Sequence, residues 1–193
     1  MSERRRPELD LFRSCPDPAL MEVDMQWDEF ARQCPDLASM AADRFARDQL
    51  VMLGTIRRDG SPRISPCELD ITAGHLFLGM MWHSPKALDL LRDPRLVVHS
   101  VTCNREGTDG DIKLYGRAVA IDDSDLRTAY RAAIKARIDW EPEEGTYHLF
   151  TLDVQAGGYV RFEGTDEGTD KEVWTWDPTR GLRKDRRPAL EGG

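Results

Sequence analysis

The chain has 193 residues, of which 40% are apolar and 32% are charged, and its formal net charge is −8. This length and balance predict one water-soluble domain large enough to bury its own core, although an obligate dimer fits equally well. The negative charge argues against a general nucleic-acid binder, and neither a signal peptide nor a run of about eighteen apolar residues is found, so we expect a cytoplasmic protein without membrane contact.

The cysteines are scattered along the sequence, at Cys15, Cys34, Cys67 and Cys103. A structural zinc site normally contains a close cysteine pair, so we predict no metal site. Buried or incidental reduced thiols are the expected state of these residues in a cytosolic protein.

The beginning of the sequence is predicted to form a helical arm. Helices are expected over residues 27–33 and 36–48, the second with Asp36 as its N-cap. Apolar residues of the second helix recur at helical spacing, which predicts one face packed on a β core: Leu37, Met40, Ala41 and Phe45. We therefore divide the single domain into an arm at residues 1–44 and a β domain at residues 45–193.

The apolar pattern then changes to that of short strands. Three are predicted in succession, over residues 50–56, 62–69 and 75–81. The first begins with the apolar run Leu50-Val51-Met52-Leu53, which predicts burial on both faces. Tight turns at Asp59-Gly60 and Ala73-Gly74 join the three strands, so neighbouring strands must be antiparallel. This disfavours a parallel doubly wound sheet, and the sequence also lacks a G-x-G-x-x-G fingerprint.

Two further helices and more strands follow. One helix begins at Ser84 and stops before Asp93-Pro94, and another follows Asp122-Asp123-Ser124-Asp125 and ends near Asp139. Strands are predicted over residues 95–102, 111–121, 147–154, 159–162 and 172–176. Gly157-Gly158 is interpreted as a turn, residues 163–170 as a loop, and the basic stretch from Arg180 to Arg187 as a solvated tail or a cofactor contact. This pattern predicts a mainly β (α+β) fold, a closed or nearly closed barrel.

The sharpest candidate site is Ser84-Pro85-Lys86. Ser84 is a natural N-cap, and Pro85 suits the first helical position. The free amides of a helix N-terminus, the helix dipole, the Ser84 hydroxyl and the Lys86 ammonium would converge within one turn, which suits a phosphate group. The alternative is that Ser84 only caps the helix and that Lys86 is solvated.

Five short segments occur in an order that resembles the pyridoxamine 5′-phosphate oxidase-like superfamily of flavin-binding split β-barrels. They are Leu53-Gly54-Thr55-Ile56, Asp59-Gly60-Ser61-Pro62, Leu76-Phe77-Leu78, Ser84-Pro85-Lys86-Ala87 and Asp93-Pro94-Arg95-Leu96-Val97. The resemblance covers roughly residues 45–121 and extends more weakly to Phe162. It implies a split β-barrel of six to eight mostly antiparallel strands, an N-terminal helical arm and two further helices. It also implies a homodimer with the cofactor at the subunit interface.

The resemblance assigns a set of cofactor-binding residues by position. Ser84 and Lys86 would hold the phosphate of FMN, and Ser65 and Pro66 would lie along its isoalloxazine ring. Other members of the set would border the ring, contact the cofactor or assist from the fifth strand: Arg63, Met80, Trp82, His83, Lys113 and Arg117. A wall with few polar contacts suits a flavin, because the cofactor performs the redox chemistry. No catalytic residue or nucleophile is assigned.

Four positions depart from true pyridoxamine phosphate oxidases, namely Ser65, Asp70, Pro85 and Asp111. The resemblance therefore implies a flavin-dependent oxidoreductase that transfers hydride to or from a small organic substrate, with NAD(P)H as a candidate donor, rather than a vitamin B6 oxidase.

Two alternatives stay open. The deazaflavin F420 carries an acidic tail and would need additional basic groups, which Arg57, Arg58 and the stretch from Arg180 to Arg187 could supply. A non-catalytic flavin-binding or heme-binding protein is the second alternative, with a heme ligand among His83, His99 and His148. Trp174 and Trp176, near the end of the sequence, either pack in the core or dimer interface or close over the cofactor.

Overall fold

The computed structural model describes residues 25–101, 104–166 and 168–189. Its helices are α1 (Trp27–Gln33), α2 (Pro35–Asp48), α3 (Pro85–Arg92) and α4 (Ser124–Ile138). Its strands are β1 (Leu50–Ile56), β2 (Pro62–Thr72), β3 (His75–Met81), β4 (Arg95–Ser100), β5 (Asp111–Ala120), β6 (Tyr147–Thr165), β7 (Gly168–Asp177) and β8 (Gly181–Pro188). The predicted mainly β fold with α+β character is confirmed.

All strand pairings in this part of the chain are antiparallel, and the sheet order is β3-β2-β1-β4-β5-β6-β7-β8. β3 also pairs with β6, where Phe77 lies opposite Thr151 and Met81 opposite Tyr147. This pairing closes the first six strands into a barrel, and β7 and β8 continue from β6 as a hairpin. The predicted split-barrel fold is thereby confirmed.

The barrel interior and the two N-terminal helices share one hydrophobic core. Val51 of β1 and Leu78 of β3 are fully buried, and Phe30 of α1 and Leu37 of α2 pack in the same cluster. Phe30 also contacts the ring of Trp176 edge-on, at 4.9 Å between centroids. The helices therefore cover one end of the barrel as part of its core.

The prediction that β1 is buried on both faces was wrong. Burial alternates along the strand, and Leu50 is 42% exposed while Val51 is fully buried. Successive residues of a strand point to opposite faces, and nothing in the described part of the chain covers the outer face of β1. The continuous apolar run therefore gives this strand a buried inner face and an uncovered apolar outer face.

A second, smaller cluster lies between α4 and the outer face of β3 and β6. Asp123 caps α4, because its Oδ1 accepts from the amides of Asp125 and Leu126 at 3.0 and 2.9 Å. Tyr130 and Ile134 are buried on the inner side of the helix, and they pack with a set of strand residues: Phe77, Ile121, Tyr147 and Leu149. α4 thus covers one part of the sheet that would otherwise be exposed.

The predicted turn at Gly157-Gly158 was wrong, because β6 continues through both residues to Thr165. A Cβ atom on Gly157 would lie 2.6 Å from Leu37 Cδ2 of α2. Gly157 therefore provides room for a helix to pack closely on the strand, a requirement that short-range sequence patterns do not reveal.

The predicted loop at residues 163–170 was also wrong, and the basic stretch, interpreted as a solvated tail or a cofactor contact, is a solvent-exposed edge strand. β7 begins at Gly168, and the basic stretch forms β8 as an edge strand. Lys184 pairs with Asp36 of α2 at 2.7 Å, and Arg186 pairs with Asp170 at 2.9 Å. Lys184 Nζ also lies 3.8 Å from the centroid of the Trp174 ring. The basic residues are thus ordered by cross-strand and helix contacts.

Several element boundaries differ from the predictions by a few residues. Asp36 lies inside the first turn of α2, because Pro35 starts the helix and Cys34 occupies the N-cap position. Cys34 and Cys67 are buried free thiols, whereas Cys15, Cys103 and the first 24 residues of the predicted arm lie outside the described residues. Within the described ranges, no helix is long and apolar enough to cross a membrane.

Candidate functional site

The start of α3 presents several hydrogen-bond donors that have no acceptor among the described residues. Ser84 is the N-cap residue with an extended backbone, and Pro85 is the first helical residue, as predicted. The first helical hydrogen bond runs from Leu88 N to Ser84 O at 3.0 Å, so the amides of Lys86 and Ala87 have no acceptor within the helix. The Ser84 hydroxyl makes no capping bond and is a buried oxygen without a partner in the described part of the chain.

Lys86 connects this helix start to β2. Its Nζ donates a 2.5 Å hydrogen bond to the carbonyl oxygen of Pro66. The neighbouring thiol of Cys67 points into the barrel, where burial raises its pKa to about 11 although the Lys86 ammonium opposes the shift. Lys86 and Pro66 are thus brought together as the sequence predicts, and the ammonium retains two further donor hydrogens.

A buried carboxylate lies one turn further along α3. Asp89 is 4% exposed, and its Oδ2 accepts from Arg63 Nε at 2.6 Å and from Thr55 Oγ1 at 3.0 Å. Arg92 approaches the other oxygen, with Nη1 3.4 Å from Oδ1. Burial raises the pKa of Asp89, but hydrogen bonds from Arg63 and Thr55 outweigh it and the net shift is downward. Asp89 is therefore an ionised carboxylate that connects α3 with β1 and β2.

Three aromatic side chains stack beside the Ser84 turn. The rings of Trp82 and His148 are nearly parallel, with centroids 4.2 Å apart, and His83 lies on Trp82 at 4.9 Å. His83 adopts a positive φ of 56°, which turns the chain sharply into α3. Burial, His83 and Arg127 lower the pKa of His148, and its Nε2 is buried without a partner among the described residues.

A cavity of about 720 Å³ lies next to this aromatic stack. Arg127 donates from Nε to Glu144 at 2.6 Å, and its guanidinium lies 4.5 Å from the centre of the Tyr147 ring. Arg131 lies 3.4 Å from Glu141 and 4.0 Å from Glu144. The wall combines aromatic and apolar groups with cations and carboxylates: Trp82, Leu91, Asp122, Arg127, Arg131, Glu144, Tyr147 and His148. This combination suits a small organic molecule that carries an anionic group.

The predicted residues of β5 are separated from this site within one chain. β1 and β4 lie between β2 and β5, which places β5 about 14 Å from β2 at ordinary strand spacing. Lys113 pairs with Asp111 at 2.5 Å, and Arg117 lies on the same outer face of the sheet. Met80, predicted to border the flavin ring, is 3% exposed in the barrel core. Within one subunit, the structure therefore groups the residues of β2, α3 and the Trp82–His83 turn only.

The outer face of the sheet carries several exposed apolar side chains beside charged ones in the single chain. Its exposed members lie on β1, β2 and β5, where Ile64 is 71% exposed, Val119 39% and Tyr115 38%. Strand register places Met52 of β1 opposite both Pro66 and His99 on this face. We name the outer face of β2, β1, β4 and β5 the open face. Because Pro66 also receives the Lys86 hydrogen bond, the open face borders the site.

Sequence reasoning missed Asp89 and the arginines of α4, and it named His148 only as a candidate heme ligand. Asp89 follows Lys86 by three residues on α3. From the sequence it resembles a solvated helix residue, because its partners Thr55 and Arg63 lie on β1 and β2. His148 reaches Trp82 only because β3 and β6 pair, which places Met80 opposite His148. Asp70, where the resembled enzymes have lysine, is covered by Arg137 of α4, with Nε 3.8 Å from Oδ2, and burial raises its pKa.

Comparison with protein families identifies the class of this chain. A family profile described as pyridoxamine 5′-phosphate oxidase matches residues 39–161, which is more than half of the sequence. The chain therefore belongs to the pyridoxamine 5′-phosphate oxidase family. A comparison with curated protein sequences finds no match.

Solved structures share the fold at low sequence identity. A pyridoxamine 5′-phosphate oxidase-related, FMN-binding protein from Nostoc punctiforme is 15% identical with a TM-score of 0.55, over 78% of this chain and 96% of that protein. The heme storage protein HutZ from Vibrio cholerae is 15% identical with a TM-score of 0.52, over 62% and 90%. PhzG from Burkholderia lata, in complex with tetrahydrophenazine-1-carboxylic acid, is 12% identical with a TM-score of 0.52, over 78% and 89%. These similarities establish the split-barrel fold.

Proposed function

We propose that the protein is an FMN-dependent oxidoreductase that acts as a homodimer on a small anionic organic substrate. The observation that carries this proposal is the set of unused donors at the start of α3. The Ser84 hydroxyl and the amides of Lys86 and Ala87 lack acceptors within the described chain, and the Lys86 ammonium adds a charge. Buried donors without partners are costly, and a phosphate would satisfy them together.

The residues present fit FMN. Ser84, Lys86 and the helix amides would hold the phosphate, and the β2 residues Ser65 and Pro66 would lie along the ring system. Trp82 supplies a large aromatic surface, 51% exposed, at the edge of the same turn. When bound, FMN would supply the two-electron hydride chemistry, and the protein would bind, orient and exclude water. No residue of this chain then needs to act as a nucleophile.

The open face supports a homodimer. Exposed apolar side chains that share one sheet face often mark an interaction site. A second copy placed on the open face would bring Lys113 and Arg117 of one subunit towards the α3 site of the other, which removes the separation they have within one chain. The predicted contributions of these two residues therefore depend on the dimer.

The cavity beside Trp82 is the proposed substrate site. Arg127 and Arg131 are held by Glu141 and Glu144 on one side and face the cavity on the other. They would balance the charge of a carboxylate or phosphate on the substrate, while Trp82 contacts its apolar part. Replacing Arg131 with Gln is expected to raise KM for the substrate more than it lowers kcat, because the interaction is present before the reaction.

A flavin titration tests the cofactor assignment. We expect FMN to bind with a shift of its visible spectrum, and Lys86→Met to weaken binding by about 1.5–3 kcal/mol, or roughly 10-fold to 150-fold. Lys135→Met is a matched control, because Lys135 is a lysine on α4 paired only with Glu141 at 3.5 Å. Equal affinities of the Lys86→Met variant and the native protein would remove Lys86 from the phosphate site, and no FMN binding would overturn the function.

Heme binding is a second candidate, favoured by the two imidazoles that flank Trp82. His148 Nε2 is buried without a partner among the described residues, and an imidazole nitrogen is a common axial ligand of heme iron. A hemin titration distinguishes the two functions, since a Soret shift lost in His83→Gln or His148→Gln would support heme. F420 stays a further alternative, whose acidic tail would have to compete with Asp36 and Asp170 for Lys184 and Arg186.

The dimer is tested by light scattering. Ile64 is 71% exposed on the open face, so Ile64→Lys is expected to give monomers without unfolding the barrel. Leu88→Lys, at a residue of α3 that is 46% exposed and lies off the open face, is the matched control and should remain dimeric. A monomeric native protein would contradict the proposed assembly.

A further inference from the structure

We propose that Asp89 is a positioning residue, which holds the Arg63 guanidinium so that its two terminal nitrogens face the phosphate of the bound cofactor. This inference rests on the proposed function and assigns a role to a residue that has no direct contact with the ligand. Within the Arg63 side chain, Nε contacts Asp89, and the two terminal nitrogens are left for a ligand.

Arg63 uses only one of its three guanidinium nitrogens within the described part of the chain. Nε donates to Asp89 Oδ2 at 2.6 Å, and Nη1 and Nη2 have no hydrogen bond or ion pair there. The side chain keeps 25% of its surface exposed, so these nitrogens remain accessible. A guanidinium held at Nε presents its remaining donors in a fixed planar fork, and such a fork matches the oxygens of a phosphate.

Asp89 is itself held rigidly. Thr55 Oγ1 donates to the same Oδ2 at 3.0 Å, and Arg92 approaches Oδ1 at 3.4 Å from the last turn of α3. The carboxylate is 4% exposed, so it has little freedom to rotate. Its partners come from β1, β2 and α3, so the direction of the Arg63 fork is fixed by three elements of the barrel.

The position of Asp89 places the fork near the other phosphate donors. Asp89 follows Lys86 by three residues on α3, so the two side chains lie on the same face of the helix about one turn apart. Lys86 reaches β2 at Pro66 and Asp89 reaches β2 at Arg63. A phosphate at the start of α3 would therefore meet Lys86, with the Arg63 fork held about one turn further along the same face, and ordering Arg63 beforehand reduces the entropy lost on binding.

The competing explanation is purely structural. In that case Asp89 and Arg63 only join α3 to β2, and the negative charge of Asp89 lowers the affinity for a phosphate nearby. The two explanations predict opposite changes in the preference for FMN over riboflavin, because the two ligands differ only by the phosphate group. A general loss of stability would weaken both ligands alike and leave their ratio unchanged.

The test measures the dissociation constants of FMN and riboflavin for the native protein and four variants by fluorescence titration. We expect Asp89→Asn to reduce FMN affinity about 10-fold and leave riboflavin affinity within about 2-fold, so that the ratio changes about 10-fold. Arg63→Gln should reduce the ratio at least as much, and the double variant should match Arg63→Gln alone, because Asp89 acts through Arg63. Arg32→Gln is the matched control and should leave the ratio unchanged, because it removes an exposed arginine of α1 that pairs with Glu29.

An unchanged ratio or tighter FMN binding in Asp89→Asn would overturn the inference while the proposed function stands. The inference would also be overturned if the loss of FMN affinity in the double variant equals the product of the two single losses. Asp89 and Arg63 would then act independently on the cofactor. If Asp89→Asn does not fold, Thr55→Val replaces it in the test, because it removes one hydrogen bond to the same carboxylate. Thr55→Val should also lower the preference for FMN over riboflavin. An unchanged preference would overturn the inference. A native protein that binds neither flavin would overturn the proposed function, and the inference falls with it.

Discussion

Two adjacent glycines of β6 provide a direct test of how the N-terminal helices pack on the barrel. Gly157→Ala would place a methyl group 2.6 Å from Leu37 Cδ2 and 3.4 Å from Leu114 Cδ2. Gly158→Ala, at the next residue, would meet nothing closer than Trp174 O at 3.6 Å. Both residues have ordinary strand backbone, since neither has a positive φ. The two substitutions therefore differ almost only in the contact with α2.

The magnitudes follow from two opposing effects. Replacing a strand glycine with alanine removes conformational freedom from the unfolded chain and should stabilise the protein by about 0.5–1 kcal/mol. Overpacking a filled core costs about 1–3 kcal/mol, and Leu37 is fully buried and has little room to move. We expect Gly158→Ala to be slightly stabilising and Gly157→Ala to be less stable than it by about 1–3 kcal/mol.

Thermal unfolding at one protein concentration measures the difference, which corresponds to about 2–4 °C per kcal/mol for a chain of this size. In a Leu37→Ala background the methyl group at position 157 would fill space, so Gly157→Ala should become stabilising there. Equal melting temperatures for the two single variants would refute the reasoning. An unchanged penalty in the Leu37→Ala background would show that α2 is not its cause.

Three further outcomes are expected. Gly79→Ala should destabilise the protein by about 2 kcal/mol or more, because its Cβ would overlap the Tyr130 hydroxyl, and a native-like urea midpoint would contradict this. The lowered pKa of His148 means that the unfolded state binds the proton more readily, so stability should fall as the pH drops below about 6.5, and His148→Gln should reduce this dependence. Cys67, with its pKa raised to about 11, should resist iodoacetamide at pH 8 until urea unfolds the chain, as mass spectrometry of the labelled peptides would show.

Local patterns in the sequence were sufficient for most of the barrel. The Asp59-Gly60 turn, the β1 to β3 meander and the Ser84-Pro85 helix start depend on interactions within a few residues, and all were predicted at or near their observed positions. The chemistry of a helix N-terminus is likewise local, so Ser84 and Lys86 were identified without knowledge of the fold. These features depend on short-range rules of backbone geometry.

The errors came from contacts between distant parts of the chain. Gly157 resembles a turn residue until α2 is known to pack against it, and the charged sequence of β8 resembles a tail until Asp36 and Asp170 are seen to pair with it. In the sequence, Asp89 resembles any polar residue of an exposed helix face. The partners that bury it, Arg63 and Thr55, lie on β2 and β1 and are distant in the sequence. The sequence pattern therefore locates the start of the site and does not reveal the network that supports it.

The pairing of β3 with β6 has a consequence for how the chain is made. Its partners, such as Phe77 and Thr151, are separated by about seventy residues, and among the described strands only β6 pairs with that edge of β3. During synthesis, the barrel formed by the first six strands cannot close until β6 has left the ribosome, so the edge of β3 that pairs with β6 stays free until then. Such an edge is a template for pairing with other chains, so the interval before closure is the stage most exposed to aggregation. Completion of β6 ends this interval and joins the last strand of the barrel to the hairpin that follows it.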